Sequence, residues 1–157
     1  MTKEWGPCTW YLFHTLAEKI KEDQFIILRL PLINIITSIC GNLPCPDCAN
    51  HARQKMSSLN ITNIKTKEDL KLMLLIFHNE VNMRNGKPLF NESDLNNKYS
   101  VANTNNIVQH FIQIWSKRTP NPKLLTVSFH KNQILQNFMR VNQIRILLRH
   151  LLPKKSL

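Results

Sequence analysis

The sequence predicts an all-α protein, because apolar residues recur at helical spacing and the breaks between segments carry helix start and stop signals. Successive segments repeat apolar residues every three or four positions, as one face of a helix requires. Pro46 suits the first position of a helix, and Asn85-Gly86 directly follows a long periodic segment. Strand-like alternation is weak, and residues 124–129 (LLTVSF) are its one candidate.

The first two predicted helices supply much of the apolar core. Residues about 5–22 carry an apolar stripe with steps of three and four, which includes Trp10. Residues about 24–42 are apolar on nearly all sides, which predicts a buried helix disturbed at Pro31. Since Arg29 and Pro31 interrupt this run, no transmembrane segment is predicted, and the N-terminal residues do not predict a signal peptide.

Three further helices complete the predicted domain, 1–118. Cys45 is the expected cap of the third helix, and Thr66 or Lys67 lies near the start of the fourth. The predicted ranges are about 46–59, 68–84 and 103–118. Residues 119–122 (TPNP) end the domain. A basic helical extension, 119–157, follows, and its residues 131–151 predict a sixth, amphipathic helix.

Charge and composition narrow the possible functions. The 157-residue chain has a formal net charge of +11, and all ten charged residues after Asp94 are Lys or Arg. The basic extension, residues 119–157, could contact nucleic acid, an anionic membrane or an acidic partner. The favoured interpretation is that its apolar side packs on the helical domain or across a dimer, because few of its residues are aromatic. The three glycines are far apart, which excludes both common glycine-rich phosphate loops.

Residues 43–51, LPCPDCANH, carry the strongest chemical signal. At a helix start, Cys45 and Cys48 would have lowered pKa values and sulfur atoms within reach of each other. These are the requirements of a dithiol that exchanges disulfides. The alternative is zinc held by Cys45, Cys48 and His51 with Cys40 or His78, although a second C-x-x-C or an H-x₃₋₅-H is absent.

Two pairs of polar and aromatic residues could form a binding site for the electron acceptor that such a dithiol needs. Trp10 and His14 are four positions apart on the first helix, and His78 and Asn82 are four apart on the fourth. From facing helices these side chains could hold a flat heterocycle and bond its edges. The alternative is that they are ordinary buried polar residues.

At three segments the sequence resembles the Erv/ALR family of FAD-dependent sulfhydryl oxidases. They are WGPCTWYLFHTLA (5–17), LPCPDCANH (43–51) and FHNEVNMRNGKPLF (77–90), which occur in the family's order. The resemblance implies a four-helix bundle with a short fifth helix that binds FAD. It assigns the FAD site to Gly6, Trp10, His14, His51, His78, Asn79, Val81, Asn82, Lys87, Lys98 and Tyr99.

The resemblance also implies the reaction. Thiols of a substrate or carrier protein would reduce the Cys45–Cys48 disulfide, with Cys45 facing the substrate and Cys48 facing the flavin. Electrons would pass to FAD and then to O₂, which leaves as H₂O₂. Family members usually form homodimers, so a homodimer is expected. The alternative function is a zinc-stabilised helical module that binds nucleic acid through its basic tail.

Departures from the family pattern are informative. Leu75 and Glu92 stand where cellular members often place a structural disulfide, and Pro7 replaces an arginine. Cys8 and Cys40 are expected to be small buried residues, with a shuttle or an intersubunit bond as the alternative. This short form is similar to members encoded by large DNA viruses, which predicts a location in the host cytoplasm or the virion.

Overall fold

The computed structural model describes residues 4–117, which form six α-helices and a short 3-10 helix, with no strand among them. The helices are α1 (Trp5–Lys19), α2 (Glu22–Gly41), α3 (Pro46–Ser58), α4 (Lys67–Arg84), α5 (Glu92–Ser100) and α6 (Thr104–Ser116), and Ile61–Asn63 is the 3-10 turn. The predicted all-α class is confirmed. The predictions for residues 119–157, including the helix at 131–151 and the strand candidate at 124–129, lie outside the described residues.

Helix α1 lies at the centre of the fold. It packs most extensively against α6 and also against α4 and α5, while α2 packs on α3. Eight of its fifteen residues are buried, among them Leu12, Phe13 and Ala17. A helix with so much of its circumference covered must be surrounded by other elements. The side chains that α1 projects are therefore held from several directions, which matters for the site below.

Helix α2 runs from Glu22 to Gly41 and continues through Pro31. The predicted disturbance there does not interrupt the helix, because seven buried side chains fix α2 in the core on both sides of the proline. By length and composition alone, α2 is apolar enough to cross a membrane. A buried core helix can pass the same test. The large apolar residues that α2 exposes are Ile26, Ile27 and Leu30.

Helix α5 was not predicted as a separate element from its periodicity. Its sequence, ESDLNNKYS, has two buried residues, Leu95 and Tyr99, and two asparagines that favour other conformations. The Asn91 side chain caps the helix by accepting a hydrogen bond from the Asp94 N–H at 2.8 Å. The helix forms because its two apolar residues pack next to α1, and Tyr99 reaches the stacked rings described below.

Leu75 of α4 and Glu92 of α5 line the same small space, beside His14 and Tyr99. Replacing both with cysteine should let them form a disulfide, because the side chains already face a common gap. Closing a loop of this length should stabilise the protein by about 3 kcal/mol. Chemical unfolding of Leu75→Cys/Glu92→Cys, oxidised and reduced, measures the gain, with Leu75→Cys alone as the control. A double variant that stays reduced under oxidising conditions would contradict this placement.

Candidate active site

The cysteine pair lies at the first turn of α3, as predicted. Cys45 is the N-cap and its Sγ accepts a hydrogen bond from the Cys48 N–H at 3.3 Å. Pro46 occupies the first helical position, where its missing N–H costs nothing. Cys45 and Cys48 are joined as a disulfide, with 5.1 Å between their Cα atoms. The helix dipole and the free N–H groups of this turn favour a thiolate when the disulfide is reduced.

A cavity of about 920 Å³ opens beside this pair. Its lining comes from α1, α3, α4, α5 and the segment 85–90, with Cys40 of α2 and Leu43 after it. Cys48 lines the cavity and Cys45 does not, although the two sulfur atoms are bonded to each other. The disulfide therefore joins one residue of the cavity lining to one residue outside it. A volume in this range is typical of sites for cofactors and small molecules.

Stacked rings form one wall of the cavity. The Trp10 ring lies 4.1 Å from the His78 ring, at an angle of 9° between their planes. Behind His78, the His14 Nε2 lies 3.0 Å from the His78 Nδ1. Tyr99 stacks on His14 at 4.9 Å and 20°. The four rings come from α1, α4 and α5, so the packing of three helices decides their arrangement.

Both histidines are held neutral by their surroundings. Burial lowers the pKa of His14 to about 3, and His78 and Lys98 contribute positive charge nearby. Burial also lowers the pKa of His78 to about 4, with Lys98 and Lys87 as the nearby charges. At pH 7 each ring therefore has one N–H donor and one bare nitrogen.

The segment after α4 is fixed to the helix by two asparagines. Asn79 donates to the Phe90 carbonyl at 2.8 Å and accepts from the Phe90 N–H at 2.9 Å. Asn82 donates to the Pro88 carbonyl at 3.1 Å. Gly86, with φ of 63°, ends α4 in a Schellman motif, in which the Lys87 N–H bonds the Asn82 carbonyl. These bonds place Lys87 and Phe90 at the cavity wall.

The charged residues that line the cavity are mainly cationic. Arg84, Lys87 and Lys98 line it, and Asp47 is the one carboxylate among its lining residues. The Lys98 Nζ lies 4.5 Å from the centre of the Tyr11 ring and 5.5 Å from that of Phe90. Such a cation over aromatic faces is stabilised by the ring quadrupoles. The arrangement suits a ligand that combines flat rings with negative charge.

The family of the chain is identified by comparison of its sequence with models of known families. The family model described as Erv1 / Alr matches residues 7–100, which is more than half of the chain. The chain belongs to the Erv1/Alr family. The predicted resemblance is confirmed, and its three segments all fall within or overlap the matched range. No solved structure matches the chain.

Several named Erv1/Alr relatives resemble it, among them proteins of viruses and of a plant. A provisionally named FAD-linked sulfhydryl oxidase of Invertebrate iridescent virus 6 is 31% identical over 101 residues, or 60% of this chain and 91% of the relative. The FAD-linked sulfhydryl oxidase of African swine fever virus (isolate Tick/Malawi/Lil 20-1/1983) is 29% identical over 71% of this chain and 96% of its own. An Arabidopsis thaliana FAD-linked sulfhydryl oxidase is 31% identical over 57% of this chain and 47% of its own.

Nine of the eleven residues assigned from the Erv/ALR resemblance line the cavity. They are Gly6, Trp10, His51, His78, Val81, Asn82, Lys87, Lys98 and Tyr99. The other two stand behind the wall. His14 contacts His78 from the far side, and Asn79 binds the backbone of Phe90. Their roles as direct FAD contacts stay predictions, and the structure gives each of them a supporting contact instead.

The cavity also has lining residues that the Erv1/Alr motifs did not suggest. They include Trp5, Tyr11, Cys40, Arg84 and Phe90. Arg84 and Phe90 lie within the quoted segment 77–90, but their residue types alone gave no role. Tyr11 follows Trp10, and only the packing of α5 against α1 brings Lys98 over its ring. The place of Tyr11 in the cavity lining could be predicted only if the position of α5, which carries Lys98, were known.

The remaining cysteines are buried, as predicted. Cys8 and Cys40 are 4% and 1% exposed. Burial raises the pKa of Cys40 to about 12, so its thiol is protonated and unreactive at neutral pH. Between residues 4 and 117, no group of three His, Cys, Asp or Glu side chains could hold a metal ion. The zinc alternative is therefore not favoured by this part of the chain.

Acidification should destabilise the folded protein through the two buried histidines. Their pKa values are lowered on folding, to about 3 for His14 and about 4 for His78, so the unfolded chain binds protons first as the pH falls below 6.5. The stabilisation is complete above pH 6.5 and is lost towards pH 3. Between pH 7 and pH 5.5 the free energy of unfolding should fall by about 1 kcal/mol for each histidine.

Urea unfolding at the two pH values measures this loss. His14→Gln should remove about half of it. His110→Asn, at an exposed position of α6, is the matched control and should leave the pH dependence unchanged. If the free energy of unfolding fell equally between the two pH values in His14→Gln and in the unaltered protein, His14 would not contribute to the pH dependence.

Proposed function

We propose that this protein is a FAD-linked sulfhydryl oxidase that forms disulfides in partner proteins. The observation that carries the proposal is the cysteine pair at the cavity wall. Cys48 lines a cavity with a stacked Trp10–His78 wall, while Cys45, bonded to it, stands outside that lining. A redox pair needs contact with both a thiol substrate and an electron acceptor. Membership of the Erv1/Alr family and the names of the relatives support the same activity.

The cavity fits FAD in size and in chemistry. Its volume of about 920 Å³ is large enough for a dinucleotide within the range of cofactor sites. The rings of Trp10 and His78 offer flat faces for a heterocycle, and Asn82 and His51 offer polar edges. Arg84, Lys87 and Lys98 offer positive charge for a diphosphate. In the proposed site these groups would hold FAD in the same cavity that Cys48 lines.

Disulfide exchange at Cys45 begins the proposed reaction. A substrate thiolate attacks the Cys45 sulfur, a new substrate–Cys45 disulfide forms, and the Cys45–Cys48 bond breaks. Cys48 leaves as a thiolate, stabilised by the N-terminal turn of α3. A second substrate thiolate attacks the substrate sulfur of the mixed disulfide and releases Cys45 as a thiolate. The substrate has then lost two electrons as a disulfide, and the cysteine pair has gained them.

Bound FAD would supply the acceptor chemistry for these two electrons, with O₂ as the final oxidant and H₂O₂ as its product. The contribution of the protein is position and polarity. The first turn of α3 holds Cys48 at the cavity wall. Trp10 and His78 give the wall a fixed, flat surface, and the neutral rings add no charge. Asn79 and Asn82 fix the segment that carries Lys87 and Phe90.

The partners in this proposal are a thiol-containing substrate or carrier protein and O₂. A homodimer, a packing role for residues 119–157 and a location in the host cytoplasm or the virion remain predictions from the sequence. The relatives from two groups of large DNA viruses support a viral member of the family. Contact of the basic extension with nucleic acid or an anionic membrane is less favoured than packing.

The proposal is tested with the purified protein. It should be yellow, with a flavin absorption band near ~450 nm that disappears with dithiothreitol in the absence of air and returns when air is admitted. H₂O₂ should appear in proportion to the thiol consumed, at one molecule for every two thiols. A colourless protein that contains stoichiometric zinc would sink the proposal and support the zinc-stabilised module.

A further inference from the structure

The His14–His78 contact links a residue outside the cavity to one at its wall. The His14 Nε2 and the His78 Nδ1 lie 3.0 Å apart, and only His78 lines the cavity. At this distance one nitrogen must carry a hydrogen and the other must be bare, since two hydrogens would clash and two lone pairs would repel. The tautomer of one ring therefore determines the tautomer of the other.

The rings are fixed, so this constraint does not relax by rotation. His78 is stacked on Trp10 at 4.1 Å, and His14 is stacked on Tyr99 at 4.9 Å. Both histidines are buried, with 5% and 7% of their surfaces exposed. Burial also lowers both pKa values, to about 3 and about 4, so the charged forms are excluded at neutral pH. Two neutral tautomer arrangements remain.

The surroundings of His14 favour one of them. If His78 donated to His14, then His14 would carry its own hydrogen on Nδ1, and that hydrogen would need an acceptor. Among residues 4–117, the polar contact of the His14 ring is the one to His78. Glu18 lines the same small space as His14, but its buried Oε2, which lies 2.8 Å from the Lys71 Nζ, has no hydrogen bond to the His14 ring. A buried N–H without an acceptor is rarer and more costly than a bare nitrogen.

We propose that His14 is a positioning residue, which donates its Nε2 hydrogen to the His78 Nδ1 and so presents the His78 Nε2–H to the cavity as a hydrogen-bond donor. The functional consequence rests on the proposed FAD site. A fixed N–H donor at the wall would bond an acceptor atom of a cofactor held in the cavity. His14 would thus set how His78 binds the cofactor, through one hydrogen bond.

Histidine tautomers can be measured directly in the protein as purified. In ¹⁵N-histidine-labelled protein at pH 7, two-bond ¹H–¹⁵N correlations should show His78 as the Nε2–H tautomer, favoured by about tenfold or more. A His78 that carries its hydrogen on Nδ1 would overturn the proposal. This result does not depend on turnover, so it separates a failure of the tautomer assignment from a failure of the proposed oxidase activity.

Two variants test the link between the rings. His14→Gln keeps an amide N–H at the position of Nε2, and His14→Leu removes the donor at similar volume. The His78 tautomer ratio should fall several-fold in His14→Leu and be retained in His14→Gln, and the Kd for FAD should rise several-fold only in His14→Leu. The same Kd and tautomer ratio in both variants would overturn the proposal. Flavin content and the thermal midpoint of each variant show whether the fold is kept.

Discussion

Replacing Cys48 with serine should abolish thiol oxidation, with kcat/KM for a dithiol substrate reduced on the order of 10³-fold or more. The serine hydroxyl cannot form the disulfide that a substrate thiolate attacks. Cys45→Ser should lose as much, because both sulfur atoms are needed for the exchange. Oxygen consumption with dithiothreitol measures the effect. Cys8→Ser is the matched control, because Cys8 is buried outside the cavity lining and its Sγ bonds the Trp5 carbonyl, a bond that a hydroxyl can also make.

The two cysteine variants should differ from each other in one respect. The remaining thiol of Cys48→Ser is Cys45, which stands outside the cavity lining, whereas the remaining thiol of Cys45→Ser faces the cavity. With FAD bound, a thiol-specific disulfide reagent should therefore react faster with Cys48→Ser. It should leave a stable mixed disulfide on Cys45, because the serine at position 48 cannot resolve it. The opposite order of reaction rates would exchange the roles proposed for Cys45 and Cys48. Full turnover in either variant would contradict the mechanism.

Local signals in the sequence predicted the start of α3 and the extent of α4 well. The Cys45 cap with Pro46 behind it is a start signal that depends only on neighbouring residues. Thr66 caps α4 in the same local way, through a reciprocal pair of bonds with Asp69. Helix α5 was not predicted from its periodicity, because its stability comes from contacts of Leu95 and Tyr99 with other helices. Periodicity within nine residues does not report such contacts.

The sequence predicted which helix faces meet at the site. It did not predict which side chains reach the cavity. The i,i+4 spacing correctly brought Trp10 and His14 to one side of α1, facing His78. It could not show that His78 would lie between His14 and the cavity, since that depends on how deeply α4 packs against α1. For the same reason Asn79 could not be recognised as a residue that binds the backbone of Phe90.

Replacing Trp115 with alanine should lower the free energy of unfolding by about 3–5 kcal/mol, a large part of the stability of a domain this size. Trp115 is 1% exposed on α6 and lies against Phe111, with its indole N–H bonded to the Thr9 hydroxyl at 3.4 Å. Alanine would leave a cavity between α6 and α1 and remove the donor to Thr9. Urea unfolding measures the loss, and Gln113→Ala, exposed on the same helix, should change stability by less than about 0.5 kcal/mol.

This prediction also tests where the functional domain ends. The Erv1/Alr model matches residues 7–100, yet α6, beyond it, makes the most extensive packing contact of α1, the helix that carries Trp10 and His14. If α6 belongs to the domain, Trp115→Ala should also lose bound FAD as it unfolds, and a chain cut after residue 101 should neither fold nor bind FAD. A chain cut after Arg118 should keep both properties, because α6 remains. Stable FAD binding by the shorter chain would show that α6 is an accessory element and would place the boundary near residue 100.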